Sequence, residues 1–378
     1  MLRDSFVRRT TTLVAARASP GGGATKLLLR LQDGLEVESV IMEYDTTADG
    51  GARGGLRRTL CVSSQAGCAM GCTFCATGTM GELGSLFACE ILEQADWAAA
   101  AVADAARAAT ALTPATPPPP SRRPSAFAIR NVVFMGMGEP LNNYDAVVAA
   151  VRGLTDSRRF GLRRSAVTVS TVGVVPRLRT LAADMPGVSL ALSLHAPDQE
   201  TRLRIVPSAK AYPLPRLMDA VARYQASSGR RVFVEYVLLA GVNDAVAQAD
   251  ALAELLRGRD VVVNLIPWNP VPPAPVKGGG ERGQDAASAV EPPELFAAPA
   301  AAAVDAFAAA LRAAGLPATV RKELGHDVAA ACGQLALTAK VEGPGRGGGA
   351  ARDIEDAVAA PPRSGLRALL PAALFGRG

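Results

Sequence analysis

Residues 61–78 read CVSSQAGCAMGCTFCATG and hold four of the six cysteines of the chain. The apolar, β-branched run just before them predicts a strand over Thr59–Ser63, which puts the thiols on the loop that follows it. In parallel α/β folds the chemistry sits at the carboxyl ends of strands. Cys68, Cys72 and Cys75 form a C-x-x-x-C-x-x-C triplet, and convergent thiolates select zinc or an iron–sulfur cluster. A structural zinc site wants four protein ligands, commonly from two separated C-x-x-C pairs, so a single triplet would need Cys61 or Cys89 as a fourth ligand. A 4Fe-4S cluster held by three cysteines instead leaves one iron open to a small molecule. Gly67, Gly71 and Gly78 allow the tight turns that such a loop needs. Phe74 would serve as its apolar cover or equally as ordinary core.

Outward from this loop, short apolar runs alternate with helical periods. Strands are predicted at Asn131–Met135, Ala166–Thr171, Ser189–Ser193, Arg231–Leu238 and Val261–Ile266. Helices are predicted at Asp145–Gly153, Leu214–Ser227, Ala245–Leu256 and Ala300–Ala314, the last stopping at Gly315. Strands alternating with helices define an α/β fold with a parallel sheet, and six such units make an open or partial barrel. Composition marks two low-complexity insertions, about 98–124 with its "TPATPPPPSRRP" and about 271–299 with "PPAPVKGGGERG". The catalytic body then spans about 26–340, and "EGPGRGGGAARD" opens a tail, 341–378, expected to be disordered.

With 378 residues the chain is long enough for one large core with appendages. The net charge of +5 leans mildly towards an anionic partner such as nucleic acid. No run of about 18 uncharged apolar residues suggests a membrane span. The clustering of thiols in a long chain without a signal-peptide pattern argues against a secreted disulfide framework and for a reducing, intracellular compartment.

Further polar groups fall at strand ends. "VVFMGMGEPLNN" puts Gly138 and Glu139 past the strand at Asn131, where one carboxylate can meet an ammonium group. "VTVSTVGVVP" ends a strand at Ser170, "LALSLHAPDQETR" ends one at Ser193, Leu194 and His195, and "VNLIPWNP" delivers Asn269. Singly these read as strand-end capping, and His195 as a structural hydrogen-bonding histidine. Together they offer the small polar groups that a ribose and an adenine need.

The triplet with an aromatic residue before its last cysteine resembles the radical S-adenosylmethionine superfamily. That resemblance implies a 4Fe-4S cluster on Cys68, Cys72 and Cys75, with its open iron binding S-adenosylmethionine. Gly138, Glu139, Ser170, Ser193, Leu194, His195 and Asn269 would hold this cofactor, which is cleaved to a 5′-deoxyadenosyl radical. The ordered phrases, with "EYVLLAGVND" and "GHDVAAACGQL", resemble one family within it from about Leu2 to Lys340: the RlmN/Cfr adenine methyltransferases of ribosomal and transfer RNA. The family implies a partial (β/α)6 barrel, methylation of Cys332, attack of the resulting methylene radical on an adenine carbon, and a disulfide between Cys61 and Cys332 that releases the product. Glu38 in "LEVESVIM" matches the base that takes the ring proton; by itself it reads as a surface carboxylate on a strand. The resemblance also implies ribosomal RNA and transfer RNA as substrates and an electron donor such as flavodoxin or ferredoxin. A monomer is expected, with no membrane association. The compartment is cytoplasmic by default, with plastid or mitochondrion left open.

Phrase similarity favours attack at adenine C2, with C8 as the alternative within the family; a zinc-binding RNA module without catalysis is the reading from outside it. The chain departs from the family pattern in two places. Residues 1–25 resemble only the end of the helical N-terminal region, and read as a remnant of it rather than as a targeting peptide. Gly84 and Ser85 stand where the family has an arginine–asparagine pair, a change expected to touch substrate contacts and no cofactor residue. Arg57, Arg58, Arg158, Arg159, Arg163 and Arg164 are expected near the active-site rim, where they would meet RNA phosphates.

Overall fold

A computed structural model describes residues 9–45, 56–112, 128–271, 296–321 and 324–335. Its strands are β1 (Thr12–Ala18), β2 (Ala24–Arg30), β3 (Glu36–Asp45), β4 (Leu56–Cys61), β5 (Gln65–Cys68), β6 (Gly81–Ser85), β7 (Asn131–Phe134), β8 (Val167–Thr171), β9 (Ser189–Ser193), β10 (Val232–Leu238), β11 (Val261–Pro267) and β12 (Ala318–Val320). Its helices are α1 (Ala76–Thr79), α2 (Ala88–Leu112), α3 (Tyr144–Thr155), α4 (Val175–Asp184), α5 (Gln199–Ile205), α6 (Leu214–Ser228), α7 (Val246–Leu256) and α8 (Ala301–Ala313).

Ten strands form one sheet in the order β1-β2-β3-β4-β7-β8-β9-β10-β11-β12, with β5 and β6 paired apart as a ribbon. From β4 to β12 every pairing is parallel and the spatial order follows the chain, as a singly wound partial barrel requires. The six strands expected from sequence are β4, β7, β8, β9, β10 and β11, and the short β12 extends the set. The antiparallel β1-β2-β3 meander ahead of them is additional. Residues assigned by sequence to an N-terminal remnant therefore include an edge strand of the main sheet.

The helices bury the stripe that their spacing predicts. Tyr144, Val147, Val148, Val151 and Leu154 of α3 are buried, as are Leu214, Leu217, Met218, Val221 and Tyr224 of α6. Asp198 caps α5 by accepting the Thr201 amide at 2.7 Å. Gly229 ends α6 with φ 62°, a left-handed turn suited to glycine. The alanine-rich start of the first insertion is helical, as its composition suggests, but it belongs to α2 and enters the core, since Ala98 is fully buried. At the second, Phe296 is buried against Trp268 with ring centroids 6.1 Å apart. The proline-rich and glycine-rich parts of both insertions and the tail 341–378 lie outside the described residues. Among the described residues no helix is long and apolar enough to cross a membrane.

Candidate active site

The triplet is built by the β5–β6 ribbon and the turn that joins it to α1. Cys68 ends β5, Cys72 follows the turn, and Cys75 precedes α1 and accepts the Gly78 amide at 3.0 Å. Gly67 has φ 71°, and a Cβ there would sit 1.9 Å from the carbonyl of Gly81, so the ribbon closes only around glycine. The loop is pinned from outside. Thr73 donates its amide to Ile205 O at 3.1 Å, Trp268 Nε1 donates to Phe74 O at 2.9 Å, and the Phe74 ring meets the edge of His195 at 4.9 Å. Cys72 and Phe74 belong to an apolar cluster with Ile205, Val237, Leu239, Ile266 and Trp268. Phe74 is thus cover for the loop and core at once.

All three thiols line a half-open cavity with about 850 Å³ of empty space, counting its mouth. Gly138, Glu139, Ser170, Ser193, His195 and Cys332 line it with them. Burial pushes the Cys68 thiol up to about 12, and it raises Cys72 and Cys75 as well. Such thiols ionise only when a metal supplies the compensating charge. Among the described residues no group of three His, Cys, Asp or Glu side chains converges tightly enough to hold a single ion. Three thiols on one largely apolar cavity can share a soft-metal centre, and Cys89 is exposed and lines no described cavity.

Gly138, with φ 98°, brings the backbone so close to Gln65 that a Cβ would lie 2.5 Å from the Gln65 Cβ. This approach lets Gln65 Oε1 accept the Glu139 amide at 2.9 Å. The Glu139 carboxylate accepts the amides of Leu141 at 3.0 Å and Val172 at 2.9 Å. Burial pushes it up to about 6, so it is charged at neutral pH and faces a cavity where a cation can meet it. Gln65 Nε2 also donates to Glu82 Oε1 at 2.8 Å and Ser85 Oγ at 3.0 Å. Ser85 thus contacts no residue of the expected cofactor set directly, and is linked to Glu139 through the Gln65 side chain.

Ser170 and Ser193 face each other across neighbouring strands with hydroxyl oxygens 3.2 Å apart. His195 holds φ 63°, uncommon outside glycine, and is pinned there: its Nδ1 accepts the Val237 amide at 3.1 Å and its carbonyl accepts Asn243 Nδ2 at 2.8 Å. Burial, reinforced by the Arg202 charge, pushes His195 down to about 3, so the ring is neutral and keeps its proton on Nε2. The Leu194 side chain is fully buried, and its backbone alone makes polar contacts.

Arg202, which helical spacing alone leaves as a solvated charge, is 1% exposed. It donates to the carbonyls of Leu194 at 3.0 Å, Val172 at 2.6 Å and Ser193 at 3.5 Å, tying together the ends of β8 and β9. The only sequence signal for it was its place in the phrase that follows His195.

Cys332 lies on the wall between this cavity and a second one, which Cys61, Val40, Met42 and Asn269 line. Its side chain is open to the cavity yet enclosed by protein, and that enclosure raises its thiol. Burial, then the nearby Cys332, push Cys61 up to about 12, and the Arg321 charge, which lines both cavities, works against the rise. Both cysteines are free thiols. Asn269 Nδ2 donates to Cys332 O at 3.4 Å, so it positions this segment rather than lining the first cavity. Glu38 lines neither cavity; it is fully buried on β3 and pairs with Lys26 at 2.9 Å.

The arginines expected at the rim are elsewhere. Arg158, Arg159, Arg163 and Arg164 precede β8, whose opposite end carries Ser170, and a strand separates its two ends. Arg57 and Arg58 likewise lie at the start of β4, with Arg58 paired to Glu43 at 2.5 Å and Arg57 stacked over Tyr44.

A singly wound parallel sheet whose first loop sets three thiols beside a glycine–glutamate turn defines the radical S-adenosylmethionine class of enzymes. A crystal structure of a radical SAM methyltransferase from Sphaerobacter thermophilus aligns with a TM-score of 0.69 and 40% identity, covering 86% of this chain and 81% of that one. A curated relative from Thermus thermophilus, "Probable dual-specificity RNA methyltransferase RlmN", is 42% identical over 339 residues, 89% of this chain and 81% of its own length. "Ribosomal RNA large subunit methyltransferase N" of Nitrosopumilus maritimus is 38% identical over 339 residues, 88% of this chain and 84% of its own. No family model matches. The chain belongs to the RlmN family of radical SAM methyltransferases.

Proposed function

We propose that this protein methylates C2 of adenosine in ribosomal RNA and transfer RNA, using Cys332 as the methyl carrier. The observation that carries this reading is the position of Cys332, on the wall shared by the cavity of the three cluster thiols and the cavity of Cys61. Cys68, Cys72 and Cys75 would hold a 4Fe-4S cluster, and Glu139, Ser170, Ser193 and His195 would hold S-adenosylmethionine. When bound, this pair supplies both a transferable methyl group and a carbon radical able to activate it.

The residues of the chain divide the rest of the work. Glu139 faces the cofactor ammonium with a charged oxygen, while the neutral His195 offers an Nε2 proton and no positive charge. Cys332 accepts the methyl group and presents it towards both cavities. Removal of the ring proton of the adenine is assigned to Glu38 on the family resemblance, although the carboxylate lies buried beside Lys26 and lines neither cavity. Cys61 then attacks the Cys332 sulfur: the carbon–sulfur bond breaks, its electron pair and a proton complete the methyl group, and the two sulfurs are oxidised to a disulfide. A dithiol reductant restores the thiols. The cluster needs a one-electron donor such as flavodoxin or ferredoxin, in a reducing cytoplasmic compartment.

The test is nucleoside mass spectrometry of unmodified ribosomal and transfer RNA after incubation with anaerobically reconstituted protein, a reductant and methyl-labelled S-adenosylmethionine. Labelled 2-methyladenosine that is lost in Cys332→Ala is expected. Labelled 8-methyladenosine would move the site of attack, and the absence of any methylated adenosine beside 5′-deoxyadenosine release would overturn the RNA assignment.

A further inference from the structure

A buried cation that the reaction above does not use joins β2 and β3 to the segment that carries Cys332. Lys26, on β2, is 8% exposed and stands beside Val40 in the β2–β3 register. Its Nζ lies 2.9 Å from Glu38 Oε1, inside the core, and donates to the carbonyl of Ala329 at 3.2 Å. Ala329 belongs to the segment that carries Cys332, and it holds φ 49°, a left-handed conformation that this grip helps to maintain. The same segment is seated on the meander at two more points. Ser19 Oγ donates to Asp327 Oδ2 at 2.7 Å, and Gly325 packs where a Cβ would lie 2.8 Å from the Cβ of Ala24.

We infer that Lys26 is a positioning residue for the methyl-transfer reaction, one ammonium that pairs with the Glu38 carboxylate and orients it. The inference rests on the proposed role of Glu38 as the base. A carboxylate taken wholly out of water holds its charge only beside a compensating group, and a base must be charged to accept a proton. In the step concerned, once the radical adduct has given up its unpaired electron, which the cluster would take back, the carbon–hydrogen bond of the crosslinked adenine breaks, the proton passes to a Glu38 oxygen and the electron pair restores the aromatic ring. The same Nζ also holds Ala329 O, so the ion pair is tied to the segment that carries Cys332.

The experiment compares wild type with Lys26→Met, Lys26→Arg, Glu38→Gln and the Lys26→Met/Glu38→Gln double variant, each reconstituted with its cluster and given RNA and methyl-labelled S-adenosylmethionine. Three products are read: methylated Cys332 by intact mass, protein–RNA crosslink by denaturing gel, and methyladenosine. Lys26→Met is expected to retain Cys332 methylation, accumulate crosslink and lose at least tenfold in methyladenosine, with partial rescue by Lys26→Arg. The double variant is expected to be no worse than Glu38→Gln, as required if Lys26 acts through that carboxylate. It also removes both charges together, so it folds without a lone buried ion. Wild-type methyladenosine yield from Lys26→Met beside an inactive Glu38→Gln would overturn this inference alone, as would loss of Cys332 methylation in both Lys26→Met and the double variant. A fully active Glu38→Gln would overturn the role of the base and this inference with it.

Discussion

Ala76 donates its backbone amide to the carbonyl of Gly333 at 2.8 Å. Each residue directly follows a cysteine of the candidate site, Cys75 in one case and Cys332 in the other, so one backbone bond registers the proposed cluster loop against the segment proposed to carry the methyl group. Thr77 Oγ1, one residue further on, donates to Leu335 O, two residues past Gly333.

Disturbing that register should uncouple the two sites while leaving both intact. Gly333 holds φ 85°, and alanine in that left-handed region costs about 1 kcal/mol. Gly333→Ala is expected to keep its iron and sulfide, lose a few degrees in thermal midpoint and methylate Cys332 several-fold more slowly. Intact mass over a time course, beside a melting curve, checks both.

Cys72 has the most buried environment of the three cluster thiols in its apolar surround, at 9% exposure. Cys72→Ser replaces a soft ligand with a hard one. Anaerobic reconstitution is expected to leave the variant without the brown colour and with less than half the wild-type iron and sulfide. Full loading of Cys72→Ser would remove this residue from the ligand set.

The pH dependence of cofactor binding follows from Glu139, pushed up to about 6 by burial. An ammonium group needs the charged carboxylate, so affinity for S-adenosylmethionine should be full above pH 7 and fall as pH drops through about 6, roughly tenfold per unit at the limit. The sign for stability is opposite. A carboxyl held above its ordinary value binds its proton more tightly when folded, so this group favours the fold as pH falls, and weaker binding there is not unfolding. Equilibrium dialysis across this range should show the loss in wild type and a flat, weak profile in Glu139→Gln.

Arg202 makes a stability prediction. Its removal leaves the carbonyls of Leu194, Val172 and Ser193 without their buried donor, a loss of about 3 kcal/mol. Lysine carries the charge but cannot reproduce the planar fork. Urea denaturation of Arg202→Met and Arg202→Lys is expected to show lower midpoints in both, with lysine recovering less than half of the difference.

The sequence by itself determined the repeating unit and the chemistry of the first loop. The six parallel strands and four of their helices were legible because burial on each element leaves a local period, two for strands and near four for helices, while Val175–Asp184 and Gln199–Ile205 were not read. The thiol triplet and the glycine–glutamate turn were legible because their ligands are close in the chain. Tertiary structure alone decided the rest. The β1-β2-β3 meander was hidden in part because β2 buries Leu27, Leu28 and Leu29 in succession, which erases the alternation of a half-buried strand. Sheet polarity decided that the arginines before β8 lie away from the cavity. Lys26, Arg202 and Arg321 carry no distinguishing signal in the sequence, since their partners are carbonyls and acids brought in by other segments. The meeting of Cys332 with the cluster loop and with Cys61 is of the same kind. It depends on contacts between residues far apart in the chain, which no local pattern records and only the closed fold brings together.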